Sequence, residues 1–232
     1  MENYFNYEVI KRALANRKVR KTINILVGFI AFLLLLWCID IFTVPSHYRV
    51  VAPPADGQPS MYLTNHILPE IHNKSQYGRP FEVVFSEQGI NDVIARHIDV
   101  NSLQKAGMSD LSVSFEKDRI LFVSKTTSHG FNFYPTIVLE PRADEDGRFF
   151  LEVSKMQAGN SRIPFTSEIM KKKILESFDN LLKDSKHPGF VRVLFNSGKA
   201  KPVFSVNRNR VSIEGITVKK NELTVRFMPQ EN

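Results

Sequence analysis

The chain opens with an apolar run that differs from everything after it. Residues 23–44 contain no Lys or Arg and a single charged side chain, Asp40. About 20 apolar residues in a helix span the roughly 30 Å hydrocarbon core of a bilayer. The run is longer than the apolar part of a cleavable signal, and no small-x-small site follows it closely. The pattern predicts a transmembrane signal anchor over 23–44, preceded by a basic tail over 1–22.

After the apolar run the pattern changes twice. The first part of residues 45–78 contains four prolines before Ser60 and cannot propagate a helix, which predicts an extended stalk or linker. Residues 61–78 fit either a short helix or more linker. Regular alternation of apolar and polar positions begins near Arg79. We therefore expect one folded domain over 79–232.

Short alternating segments in this region predict β-strands, and two segments with helical spacing predict helices. Ser86 is a plausible N-cap for the first helix, with Ile90 and Ile94 on its apolar stripe. Thr166 or Ser167 opens the second helix, which runs to about Leu182. The expected fold is α+β: a transmembrane helix, then a mostly antiparallel curved sheet with two packed helices. The predicted strands are 81–85, 111–115, 120–124, 131–140, 149–156, 190–195, 202–206, 210–213, 216–219 and 223–227.

The distribution of charge predicts the orientation in the membrane. The chain has a net charge of +7, and six basic residues precede the apolar run, whereas only Arg49 follows it before Lys74. Basic residues stay on the cytoplasmic side, so we expect a cytoplasmic N-terminus, a location in the inner (plasma) membrane and an extracytoplasmic C-terminal domain. The outer part contains 25 basic and 21 acidic residues, a mixture that argues against a nucleic-acid partner.

Motifs for chemistry are weak. The six histidines show no helical zinc spacing, and the cluster of His66, Glu70 and His72 matches no metal site cleanly. One cysteine, Cys38, excludes an internal disulfide. Ser102 and Lys105 fit the S-x-x-K spacing of a Ser-Lys acyl hydrolase, but the companion motifs of that class are missing. The sequence therefore favours a protein that is not an enzyme and uses no cofactor and no metal.

The remaining signal is apolar. The chain contains 18 Phe, many of them on predicted strands. One interpretation is an ordinary aromatic core; the other is a sheet curved around helices, which leaves an apolar groove for a lipid ligand. An envelope protein could be the partner instead, or the chain could be a structural subunit that acts through its span and tail. The groove candidates lie on the two predicted helices: Ile90, Ile94, Met170, Ile174 and Phe178.

Several short motifs within residues 81–184 resemble one family. They are FSEQGINDVI over 85–94, Leu139-Glu140-Pro141, Asp146-Gly147, FLEV over 150–153, Ala158-Gly159 and Ile163-Pro164. This order resembles the YpmS-like family of bacterial membrane-anchored proteins, and more loosely it is similar to tubular lipid-binding domains of the cell envelope. The resemblance implies an extracytoplasmic domain with an apolar ligand or an envelope partner. It implies no catalytic residues.

Overall fold

The described part of the chain contains a long apolar helix followed by two antiparallel sheets with further helices, which confirms the α+β class. The structure is a computed structural model, and it describes residues 17–52, 57–98, 100–105, 107–128, 130–143, 149–162, 203–206 and 209–230. The chain divides into two compact units, residues 1–41 and 42–232.

Helix α1, Arg17–Phe42, contains the apolar run. It starts six residues before the predicted span and ends two residues before the predicted limit, ahead of Pro45. Its most apolar 18-residue window has a mean hydropathy of 2.7, and none of its residues is buried. By length and composition, α1 is able to cross a membrane.

Within the described residues, the second unit contains a π-helical turn, three further α-helices and ten strands. A π-helical turn, Tyr62–Ile67, leads directly into helix α2, Leu68–Ser75, and helices α3, Glu87–His97, and α4, Val100–Lys105, follow strand β1. The strands are β1 Phe81–Ser86, β2 Asp110–Glu116, β3 Arg119–Ser128, β4 Phe131–Phe133, β5 Pro135–Ala143, β6 Phe149–Ala158, β7 Ser161–Arg162, β8 Val203–Val206, β9 Asn209–Lys219 and β10 Glu222–Gln230.

These strands form two sheets, where the sequence indicated one. The first has the order β1-β10-β9-β8 and the second the order β2-β3-β5-β6-β7, with β4 paired to β3. Every pairing is antiparallel. Strand β9 contacts β2, β3, β5 and β6 of the other sheet, so the core lies between the sheets. Its most buried members are Val83, Phe115, Leu139 and Val211.

The stalk predicted over 45–78 is wrong for its second half. Ile67 and Ile71, four residues apart on one helical face, are buried in the core between the sheets. The hydroxyl of Ser60 accepts a hydrogen bond from the backbone N–H of Leu63 at 3.2 Å and so caps the π-helical turn. Residues 60–75 therefore belong to the folded domain, and the helical alternative for this region is the correct one.

Two predicted boundaries inside the sheets also need correction. Glu214-Gly215 is not a turn between two strands but a β-bulge inside β9: Arg226 faces Gly215 and Phe227 faces Ile213, which leaves Glu214 as the extra residue. The strand predicted over 131–140 is interrupted at Tyr134, although β4 and β5 keep one register against β3. The helix predicted over 166–182 and the strand over 190–195 lie outside the described residues.

Helix α3 closes the free edge of strand β2 with two buried side chains. The Glu87 carboxylate accepts from the backbone N–H of Phe115 at 2.7 Å and from the Ser114 hydroxyl at 3.0 Å. The Asn91 amide accepts from the N–H of Val113 and donates to its carbonyl, both at 2.7 Å. An unpaired strand edge is a template for aggregation, and here the side chains occupy the groups that another strand would use.

The edge of strand β1 is closed in the same way from the other side. The Lys74 ammonium donates to the carbonyl of Glu82 at 2.7 Å, and the Tyr62 hydroxyl accepts from the N–H of Ser86 at 2.8 Å. The π-helical turn and α2 thus serve as an edge cover as well as a part of the core.

Candidate functional site

Helix α3 carries the two groove candidates that the structure describes. Ser86 caps this helix as predicted, because its hydroxyl accepts from the N–H of Gly89 at 3.1 Å. Ile90 and Ile94 are half-buried and pack against the core. The other three candidates, Met170, Ile174 and Phe178, lie outside the described residues, so the groove stays a prediction.

Beside this apolar face, α3 also holds a polar cluster that the sequence did not suggest. Ser60 is fully buried, its hydroxyl donates to the Asp92 carboxylate, and its N–H donates to Nε2 of His97 at 3.4 Å. Arg96 donates to the same carboxylate at 2.9 Å. The hydrogen bonds from Ser60 and Arg96 hold the pKa of Asp92 below its usual range.

The residue types of this cluster are those of a catalytic triad, but the connections differ. A triad needs the hydroxyl to donate to the imidazole and the imidazole to donate to the carboxylate. Here the Ser60 hydroxyl donates directly to Asp92, and His97 receives a backbone N–H. The imidazole is therefore not placed to accept the hydroxyl proton, and the cluster fastens residue 60 to α3.

A second unpredicted feature is the connector, residues 43–50, which follows α1. Its Pro45 is fully buried. The Tyr48 hydroxyl donates to the Asp110 carboxylate at 3.3 Å, and its ring meets that of Tyr134 edge-on with centroids 5.0 Å apart. The predicted stalk is therefore wrong here too, because Pro45 is buried and Tyr48 packs against residues of the second sheet.

The connector is docked in a largely uncharged state. His47 lies with Nε2 at 3.5 Å from the Thr136 hydroxyl, and burial lowers its pKa although Glu116 and Glu87 act in the opposite direction. Burial, reinforced by the Asp110 carboxylate, raises the pKa of Tyr48. Both side chains are therefore neutral at pH 7. Because the pKa of His47 is lower when it is buried, lowering the pH favours the state in which the connector is undocked and His47 is protonated.

Other candidate chemistry finds little support in the described structure. Helix α4 separates Ser102 and Lys105 by one turn, but the placement of these two side chains lies outside what the structure describes. Glu70 is paired with Lys74 at 2.6 Å, and His72 contacts Gln76 at 2.9 Å. Within the described ranges, no three His, Cys, Asp or Glu side chains could hold a metal ion together.

No protein-family profile, curated protein or solved structure matches the chain. Function therefore has to be inferred from the residues themselves.

Proposed function

We propose that the chain is a single-pass membrane protein with a cytoplasmic N-terminus, and that its extracytoplasmic domain binds a lipid or other apolar ligand without catalysing a reaction. The observation that carries the proposal is α1. It is 26 residues long, and none of its residues is buried in the structure. Such a helix extends about 39 Å, more than the roughly 30 Å of a hydrocarbon core, and lipid would remove its apolar side chains from water.

The connector supports a role close to the bilayer. Pro45 is buried in the domain three residues after Phe42, the last residue of α1. Three residues span at most about 11 Å. The domain is thus held beside the bilayer instead of on a long stalk, and a ligand drawn from the membrane would have a short path to it.

The polar groups near α3 support binding over catalysis. Glu87 and Asn91 bond the edge of β2, and Ser60 and Asp92 fasten the segment before the π-helical turn. These hydrogen bonds give each of the four groups a structural role in holding the edge of β2 or residue 60, without a reaction. The apolar face with Ile90 and Ile94 is the described part of the proposed groove, and the resemblance to the YpmS-like family belongs to the same proposal.

Lipid retention tests the ligand. The full chain is purified in mild detergent and compared with a chimera in which an unrelated soluble domain replaces residues 45–232. Native mass spectrometry and organic extraction measure the lipid bound to each protein. The chimera retains only lipid held by the anchor. We expect about one additional lipid per chain for the native protein, at the stoichiometry of a single pocket. Equal retention by the two proteins would overturn the lipid proposal and leave an envelope protein as the ligand.

Cysteine accessibility tests the orientation. In a Cys38→Ala background, which removes the single cysteine, Lys117→Cys places a thiol in the exposed turn between β2 and β3, and Lys11→Cys places one in the basic tail. A membrane-impermeant maleimide added to intact spheroplasts should label the Lys117→Cys variant at once and the Lys11→Cys variant only after lysis. The reverse order of labelling would show that the proposed orientation is wrong.

A further inference from the structure

Strands β3 and β4 form a narrow ribbon that carries an exposed aromatic ring at its tip. Ser128 pairs with Phe131, and Gly130, which directly precedes Phe131, has a φ of +82°. The Phe131 side chain is 65% exposed. One pair further from the tip, the Thr127 hydroxyl donates to the Asn132 side-chain oxygen at 2.8 Å. A single exposed ring is ordinary on a protein surface, so its meaning depends on the residues beside it.

Among the described strands, none pairs with the tip of the ribbon on either side. Strand β2 pairs with β3 only as far as Lys125, and β6 pairs with β5 only as far as Pro135. Residues 126–128 and 131–133 therefore extend, as two paired strands, beyond the described ends of the neighbouring pairings. Their base is fixed by Tyr134, which is buried and packs against Tyr48 of the connector.

The tip lies beside the point where the chain leaves the apolar run. The ring of Phe131 is 5.8 Å from the ring of Phe42, centroid to centroid. Phe42 is the last residue of α1 and the first of the second unit, and it is 47% exposed. If the apolar run ends at the membrane surface, the ring of Phe131 lies at the same level.

We propose that the β3–β4 ribbon inserts Phe131 into the interfacial region of the outer leaflet, so that the domain is held on the bilayer at a second point besides its chain connection. This inference rests on the proposed membrane anchoring. Aromatic rings concentrate at the boundary between headgroups and acyl chains. Insertion at this boundary would remove the rings of Phe131 and Phe42 from contact with water. The proposed partner of the Phe131 ring is the bilayer, because Phe42, which the ring contacts, is the last residue of α1 and belongs to the apolar run. Two attachment points fix which face of the domain meets the lipid.

Quenching of tryptophan fluorescence by labelled lipids tests this contact. The full chain is reconstituted into phosphatidylcholine vesicles in which a fraction of the lipid carries bromine near the headgroup end of its acyl chain. The single tryptophan, Trp37, lies in α1 and reports on anchoring. In a Trp37→Phe background, Phe131→Trp reports on the ribbon tip. Lys117→Trp is the matched control, because it is exposed and about 30 Å away at the other end of β3.

We expect quenching of the Phe131→Trp variant to exceed that of the Lys117→Trp variant severalfold, with a blue-shifted emission. Circular dichroism verifies that both variants keep the native fold. If wild-type Trp37 is quenched but the two variants are equally unquenched, the ribbon contact is wrong and the anchor stands. If Trp37 itself is not quenched, the proposed anchoring fails. Equal quenching of both variants also overturns a contact specific to the tip.

Discussion

Replacing Asn91 with aspartate should destabilise the domain by about 3–5 kcal/mol at neutral pH, the range found when a buried charge lacks its partner. The two side chains have the same shape. The native amide donates to the carbonyls of Val113 and Glu87, at 2.7 and 2.9 Å. A carboxylate would face both carbonyl oxygens with no proton to donate, at a site that is 5% exposed.

The loss of stability caused by Asn91→Asp should become smaller as the pH is lowered. Burial and the two carbonyls raise the pKa of the introduced carboxyl, because they favour its neutral form. Below that pKa the protonated acid regains one donor, so the difference from wild type narrows as pH falls. Urea unfolding of the full chain in mild detergent, followed by circular dichroism at several pH values, measures it.

Gln88→Glu is the matched control for this prediction. It makes the same change from amide to carboxylate three residues before Asn91, at an exposed position in the first turn of α3. There a negative charge is mildly favourable, so stability should change by about 0.5 kcal/mol or less. A similar loss in both variants, or no loss in Asn91→Asp, would contradict the role of Asn91 at the edge of β2.

The elements around α3 could be predicted because their signals are local. Ser86 before a stripe of isoleucines indicated both the start of the helix and its buried face, and the structure agrees. The hairpin of β2 and β3 was visible in the alternation of apolar positions around a charged turn at 116–119. In each case the information lies within about ten residues, the range over which periodicity and capping operate.

The wrong predictions concern segments whose conformation depends on tertiary contacts. The prolines between 45 and 59 indicated a stalk, yet Pro45 is buried and Tyr48 contacts Asp110 and Tyr134. In residues 60–75 the core is contacted by the buried Ile67 and Ile71 and by the partly buried Tyr62 and Leu63. So short an apolar stripe fits a helix and a linker equally well in the sequence. Glu214-Gly215 looked like a turn, since composition does not distinguish a bulge from a turn when the partner strand is unknown.

The candidate site was predictable only in its apolar part. Ile90 and Ile94 follow from the helical stripe, and the structure places both against the core. Glu87 and Asn91 are separated by one turn on a neighbouring face, where polar residues ordinarily meet solvent. The sequence gives no indication that a strand edge lies opposite them. The Ser60–Asp92 bond joins residues 32 positions apart and likewise has no local signal.

Replacing Gly89 with alanine is expected to destabilise the domain by about 2 kcal/mol, as overpacking of a tight contact does. A Cβ atom at this position would overlap the ring of Tyr62. The ring has little freedom to move away, since its hydroxyl accepts a hydrogen bond from the N–H of Ser86 at 2.8 Å. Gly89 is buried in the first turn of α3, so the glycine provides room for the ring that closes the edge of β1.

A double-mutant cycle separates this contact from the general effect of replacing glycine. In a Tyr62→Ala background the obstacle is gone, and Gly89→Ala should instead stabilise by up to about 1 kcal/mol, because alanine is the better helix former. Gly215→Ala, where an added Cβ meets no atom within 4 Å, should change stability by about 0.5 kcal/mol or less. Urea midpoints of the four proteins of the cycle give the coupling energy. Equal effects of Gly89→Ala in both backgrounds would mean that the Tyr62 ring does not limit the space at position 89, and the close packing of the π-helical turn against α3 would be wrong.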